Sequence, residues 1–250
     1  MIDIRTEDGV AILTLAYGKA NVLDIEFCDA LAARFDALRS EPAKAVVITA
    51  QGRIFSAGVD LKRLSEGGAP YVRRFLPSLH RLYEAVFFHP KPVVAAINGH
   101  AMAGGCVLAA CADRRIMAEG TARIGVTEML VGVPFPALAF EVVRSVVPER
   151  YLAEVTYSGA TYETDAALTR GWIDEVVEAE DLMEDALAVA LELAELSPIA
   201  FAQTKAQIRQ PVRERLAQSG AATEQAVTEI WCAPATLARI QDYVARTLRK

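Results

Sequence analysis

Asn98-Gly99-His100-Ala101-Met102-Ala103-Gly104-Gly105-Cys106 follows directly on Val93-Val94-Ala95-Ala96-Ile97, and this junction decides the fold. Five unbroken apolar residues introduced by Lys91-Pro92 read as a strand buried on both faces, as in a parallel sheet. The glycine pair then opens an almost wholly apolar helix, predicted over Cys106–Ala112. The same punctuation occurs once before. Ala45-Val46-Val47-Ile48-Thr49-Ala50 is a buried strand, and Phe55-Ser56-Ala57-Gly58-Val59-Asp60-Leu61 follows it. Small residues thus stand twice where a parallel strand ends, the place at which α/β sheets bind ligands. They let a ligand approach the backbone so that N–H groups point at it, and a helix start after Gly104-Gly105 adds its positive dipole end. Each stretch alone also fits a tight turn that needs glycine only for geometry.

Working outward, Ile2–Leu15 reads as two strands joined at Asp8-Gly9, and Phe27, Ala30, Leu31, Phe35 and Leu38 recur at helical spacing over 26–39. Gly67, Gly68 and Pro70 predict a polar loop before a helix near 71–88. Further on, a strand is expected at Arg115–Ala118, helices near 136–145, 149–157 and 163–169, and a short strand at Ile173–Val177. From Asp181 the pattern is helical, with interruptions expected at Pro198, Pro211 and Pro234. This gives an α/β core over 1–195 and a helical piece over 196–250, packed on the core or on another subunit.

At 250 residues, 53% hydrophobic and 23% charged, the chain has ample material for one large core and excludes a disordered or low-complexity reading. No apolar run reaches the ~18 residues of a membrane-spanning helix, and the acidic, alternating N-terminus is unlike a signal peptide. Cys28, Cys106, Cys111 and Cys232 lie in apolar stretches without CxxC spacing, as reduced residues of a cytoplasmic protein do; His80, His89 and His100 lack metal-ligand spacing, so no metal site is expected. Dinucleotide-binding, phosphate-loop and GxSxG motifs are absent.

A net charge of −6 argues against nucleic acid as a partner. Yet 53–81 and 201–250 each carry +4. Such local excess suits a small polyanion, and it equally suits a solvated helix face.

Taken together, in this order and spacing, the two glycine segments resemble the crotonase family, also called the enoyl-CoA hydratase/isomerase family. Phe55, Ala57, Gly58, Asp60 and Leu61 match its first motif; Ala96, Gly99, Gly104, Gly105 and Cys106 match its second. Lys19-Ala20-Asn21 looks like the family's early acyl-CoA-binding loop. The resemblance implies a spiral of repeated ββα units, a C-terminal helical region used for trimerisation, and an acyl-CoA substrate as in fatty acid metabolism. No metal or redox cofactor is implied, and the assembly would be a homotrimer or a hexamer of two trimers. It assigns the oxyanion hole to the backbone N–H groups of Val59 and Gly104. Substrate contacts would come from Lys19, Ala20, Ala57, Asp60, Leu61, Lys62, Gly105, Val107 and Pro134, with Arg63, Arg73 and Arg74 among the candidates for the coenzyme's phosphates.

One departure matters. Family hydratases use two glutamates; the first position is Val107 here, and only Glu128 is kept. A valine neither orients water nor carries a proton. The resemblance is therefore to the Δ3,Δ2-enoyl-CoA isomerase branch, with a hydratase or another family reaction, or a non-catalytic acyl-CoA binder, as alternatives. Glu141 and Asp113 are read as structural.

Overall fold

The computed structural model describes residues 1–247; the last three residues of the C-terminal piece lie outside it. The N-terminal hairpin forms as expected, β1 (Ile2–Glu7) and β2 (Val10–Leu15), followed by α1 (Ile25–Leu38), which Asp24 caps by accepting the Phe27 N–H at 2.8 Å. Three similar units come next. β3 (Ala45–Ala50) and β4 (Ile54–Ser56) lead into α2 (Leu61–Phe87). β5 (Val93–Ile97) and β6 (His100–Met102) lead into α3 (Gly104–Ala110). β7 (Arg114–Ala118) and β8 (Ile124–Gly125) lead into the single turn α4 (Glu128–Val131). The first strand of each unit joins a six-stranded sheet, ordered β1-β2-β3-β5-β7-β9 with β9 at Glu175–Val177; the second joins a three-stranded sheet, β4-β6-β8. Apart from the antiparallel β1–β2 pair, both sheets are parallel. This is the spiral of ββα units that the resemblance implied.

The unbroken apolar strands are explained by burial on both faces. Val46 and Ile48 of β3, with Ala95 and Ile97 of β5, join the large core beneath α1, α2 and α3. Their alternates Ala45, Val47, Val94 and Ala96 meet Leu182, Ala186, Ala190 and Ala194, one face of α8 (Leu182–Ala194). α5 (Ala137–Val146), α6 (Glu149–Ser158) and α7 (Thr164–Thr169) follow the spiral before β9.

Two expectations need correction. Gly67, Gly68 and Pro70 do not form a loop: helix runs from Leu61, with a kink at Gly68 (φ 58°, ψ −154°), and Pro70 falls in the first turn of the second piece, where its missing N–H has no partner to lose. Pro211 does not interrupt α9 (Pro198–Arg215), because the carbonyl it leaves unbonded belongs to exposed Gln207 and faces water. The short strands β4, β6 and β8 were not foreseen as strands at all. A π-helical turn, Leu216–Gly220, links α9 to α10 (Ala221–Cys232), and α11 (Pro234–Thr247) closes the described chain. Both α10 and α11 pack back on α2. Among the described residues no helix is long and apolar enough to cross a membrane.

α9 is pinned by a buried ionic cluster. Asp113 Oδ2 accepts the Lys205 ammonium at 2.6 Å and the Val93 N–H at 2.9 Å, while Oδ1 accepts Arg209 at 2.7 Å. Lys205 and Arg209 are 6% and 8% exposed, so two cations depend on one carboxylate. Asp113→Asn is expected to lower unfolding free energy by about 3–5 kcal/mol, because it strands both charges in a poorly solvated site. Denaturant titration checks this; an unchanged midpoint and slope would show the cluster to be dispensable.

Candidate active site

Equivalent points on the three spiral units converge. Ala57-Gly58-Val59 follows β4, Ala103-Gly104-Gly105 follows β6, and Thr127-Glu128 follows β8. The first two approach each other so closely that side chains are excluded. A Cβ on Gly58 would lie 2.6 Å from the Met102 carbonyl oxygen and 3.0 Å from the Gly104 nitrogen; one on Gly105 would lie 2.4 Å from the Ser56 oxygen. Ala103 takes φ +48°, ψ −122°, a conformation unusual for a side-chain-bearing residue, and its own N–H donates to Gly125 at 2.8 Å. That bend aims the Gly104 N–H out of the end of α3. Among the described residues, neither the Val59 N–H nor the Gly104 N–H has a hydrogen-bond acceptor, although both flanks of Val59 are bonded to Leu23 through the Gly58 carbonyl and the Asp60 N–H. On the other side of Gly104, the buried Tyr83 hydroxyl donates to its carbonyl at 3.0 Å.

A cavity of about 280 Å³ opens here, bordered by Ala57, Val59, Asp60, Leu61, Ala103 and Glu128. Glu128 is 9% exposed, and its Oε2 is buried without a partner. Burial pushes its carboxyl up to about 7, against a weaker opposing pull from the backbone N–H groups of Glu128 and Thr127. A carboxyl poised there exchanges protons at neutral pH. Asp60 is the other carboxylate on the cavity wall; its Oδ1 accepts the Arg63 N–H at 2.9 Å as the cap of α2.

Other expected contacts lie off this cavity. Lys19 and Lys62 are exposed on the surface, and Ala20 acts through its carbonyl, which accepts the Ala57 N–H at 2.9 Å. Gly105 is packed on Ser56, and Val107 is sealed in the core at 1% exposure. Pro134 lies behind the wall, its carbonyl taken by the Trp231 indole N–H at 2.9 Å. Arg63 is already paired with Glu26 at 2.7 and 2.9 Å and with Asp24 at 2.5 Å. Arg73 and Arg74 are exposed. Glu141 binds Arg215 at 2.6 Å and does not border the cavity. His100 accepts the Arg123 N–H at 3.1 Å, a turn contact.

Asn21, expected in the early loop with Lys19-Ala20, laces that loop to β4 by donating to the Ile54 and Phe55 carbonyls at 3.1 and 3.2 Å. One set of site residues was missed: Trp231 and Tyr243, from the C-terminal helices, border the cavity with no local sequence signal.

Two backbone amides without acceptors and a buried carboxyl thus lie at the ends of β4, β6 and β8, on a spiral of ββα units. The chain belongs to the enoyl-CoA hydratase/isomerase family, whose model matches residues 5–235. It is similar to a putative enoyl-CoA hydratase of Thermus thermophilus, 36% identical over 191 residues and 75% of each chain. A carnitinyl-CoA dehydratase of Salmonella typhi is 33% identical over 195 residues, 77% of this chain and 74% of that one. Among solved structures, human mitochondrial Δ3,Δ2-enoyl-CoA isomerase superposes with a TM-score of 0.93 over 98% of this chain and 97% of that one; at 24% identity this likeness concerns the fold.

The raised Glu128 carboxyl has a thermodynamic consequence. The folded state holds its proton up to about pH 7, against 4.5 for an ordinary glutamate. Stability linked to that proton is full below the lower value and is lost as pH rises through the upper one, on the order of 3 kcal/mol in all. Glu128→Gln is therefore expected to be more stable than wild type at about pH 8 and close to it at about pH 4. Urea unfolding at both values checks the sign, and an equal difference at the two would contradict it.

Proposed function

We propose that this enoyl-CoA hydratase/isomerase family enzyme shifts a 3,4 double bond of an enoyl-CoA thioester to the 2,3 position. The observation that carries the reading is Glu128, a buried carboxyl with an unpartnered oxygen, in a site where the Val59 and Gly104 N–H groups have no acceptor and position 107 is the hydrocarbon of Val107. The Glu128 carboxylate takes a proton from C2, and the electron pair moves into the thioester carbonyl to give a dienolate. Its oxygen is held by the Val59 and Gly104 amides, each such donor contributing about 2.7–4 kcal/mol of transition-state stabilisation. The Glu128 carboxyl then returns the proton to C4, and the double bond settles between C2 and C3. Atoms and electrons are conserved within the substrate, so the reaction calls for no redox partner.

Hydration is the rival reading, favoured by the names of the curated relatives. It needs a second group to orient water; Asp60, already capping α2, is the other carboxylate bordering the cavity among the described residues. Supplied with a 3-enoyl-CoA, the enzyme is expected to form the 2-enoyl-CoA, and Glu128→Gln to lower kcat at least about a hundredfold, as loss of a general acid–base does. Crotonyl-CoA hydration faster than isomerisation would overturn the reading.

We also propose that residues 196–250 take part in self-assembly as a trimer or a pair of trimers. Exposed Ile199 and Ile208 of α9, at 83% and 73%, support this. Light scattering is expected to give a multiple of three; a monomer at micromolar concentration would contradict it.

A further inference from the structure

The cavity wall comes from two sources. The spiral units supply Ala57, Val59, Ala103 and Glu128, while α10 and α11 of the same chain supply Trp231, Tyr243 and Thr247. These last three are not alike. Thr247 is exposed and Tyr243 half-buried, so they form a rim, whereas Trp231 is 2% exposed and forms a closed wall with Val131 and Val133, at 4% and 3%. The indole is held in place. Its N–H is spent on the Pro134 carbonyl at 2.9 Å, which leaves ring carbon to face the cavity, and α10 is tied to the start of α5 by Glu224, whose Oε1 accepts the Ala137 N–H at 2.8 Å. A ring fixed at both its polar edge and its backbone does not swing aside for a longer guest.

Size and charge point the same way. About 280 Å³ lies below the usual ~300–1,000 Å³ of small-molecule pockets, so the hydrocarbon part admitted is short. Among the described residues, Glu128 and Asp60 are the carboxylates on the wall, and none of the lysines, arginines and histidines borders the cavity to pair with a second carboxylate on the acyl group. We propose that Trp231 sets acyl-chain length, making the enzyme selective for short, uncharged acyl groups. This deepens the reading above by naming its substrate class. It requires an acyl-CoA ligand and does not depend on which way the double bond moves.

The test is calorimetric binding of unreactive saturated acyl-CoAs, from butanoyl through hexanoyl, octanoyl and decanoyl to dodecanoyl. Each buried methylene gives about fourfold in affinity. For wild type the rise is expected to stop at or before the decanoyl member. Trp231→Ala should carry it at least one member further, because the wall that stops the chain is removed. Trp231→Phe, which keeps an aromatic wall, should leave the break in place. Trp231→Leu, closer in bulk and safer for folding, should move it by an intermediate amount. A wild-type affinity still rising at dodecanoyl, or the same break in the alanine and leucine variants, would overturn the proposal. Running a 3-enoyl-CoA series in parallel keeps the two readings apart. A break that moves without turnover removes the isomerase reading alone; turnover with an unmoved break removes the chain-length role alone.

Discussion

Ser56-Ala57-Gly58 and Met102-Ala103-Gly104-Gly105 run so close together that no side chain fits between them, and the site depends on that contact. Ordinary Cβ atoms at positions 58 and 105 would sit 2.6 and 2.4 Å from carbonyl oxygens of the opposite segment. Glycine there removes the obstruction, and the parallel pairing of β4 with β6 holds the approach. Two amides are left without an acceptor, that of Val59 on the cavity wall and that of Gly104 at the first turn of α3. Ala103 absorbs the strain of the bend, anchored by the Gly125 carbonyl on the third unit. That same unit leads two residues later into Thr127-Glu128, so one set of strand pairings fixes both the amides and the carboxyl.

Burial then sets the chemistry. The large sheet, packed on both faces, and the helices around it form a stiff frame in which the fully enclosed α3 displays its first N–H groups. Glu128 sits in this frame with an unpartnered oxygen, an arrangement that costs stability when the group is ionised. The cost is the source of its basicity: desolvation without a cationic partner raises the carboxyl to about 7. A salt bridge like that of Asp113 would have secured the chain better and left a weaker base. The molecule carries both solutions, one pinning α9 and one at the cavity.

Much of this was legible in the chain. β3 and β5 announced themselves as long β-branched runs, and the glycine segments after them marked where the site would be. The strands β4, β6 and β8 escaped because two or three residues cannot display a period, and Gly68 was read as a loop although it only kinks a helix. The bonds of Arg63 to Asp24 and Glu26 join residues about forty apart and left no local pattern. Pro134 was placed at the substrate when it backs Trp231. Trp231 itself meets the site across some hundred residues of sequence, and contacts of that range leave no local pattern to read.

A crystal structure with an unreactive saturated acyl-CoA bound would show whether the Val59 and Gly104 amides receive the thioester oxygen while Glu128 stands over the neighbouring carbon. The thioester oxygen is expected within about 2.7–3.1 Å of both nitrogens, with a Glu128 carboxylate oxygen in van der Waals contact with C2. A thioester oxygen bonded elsewhere, with Glu128 turned from C2, would contradict this arrangement.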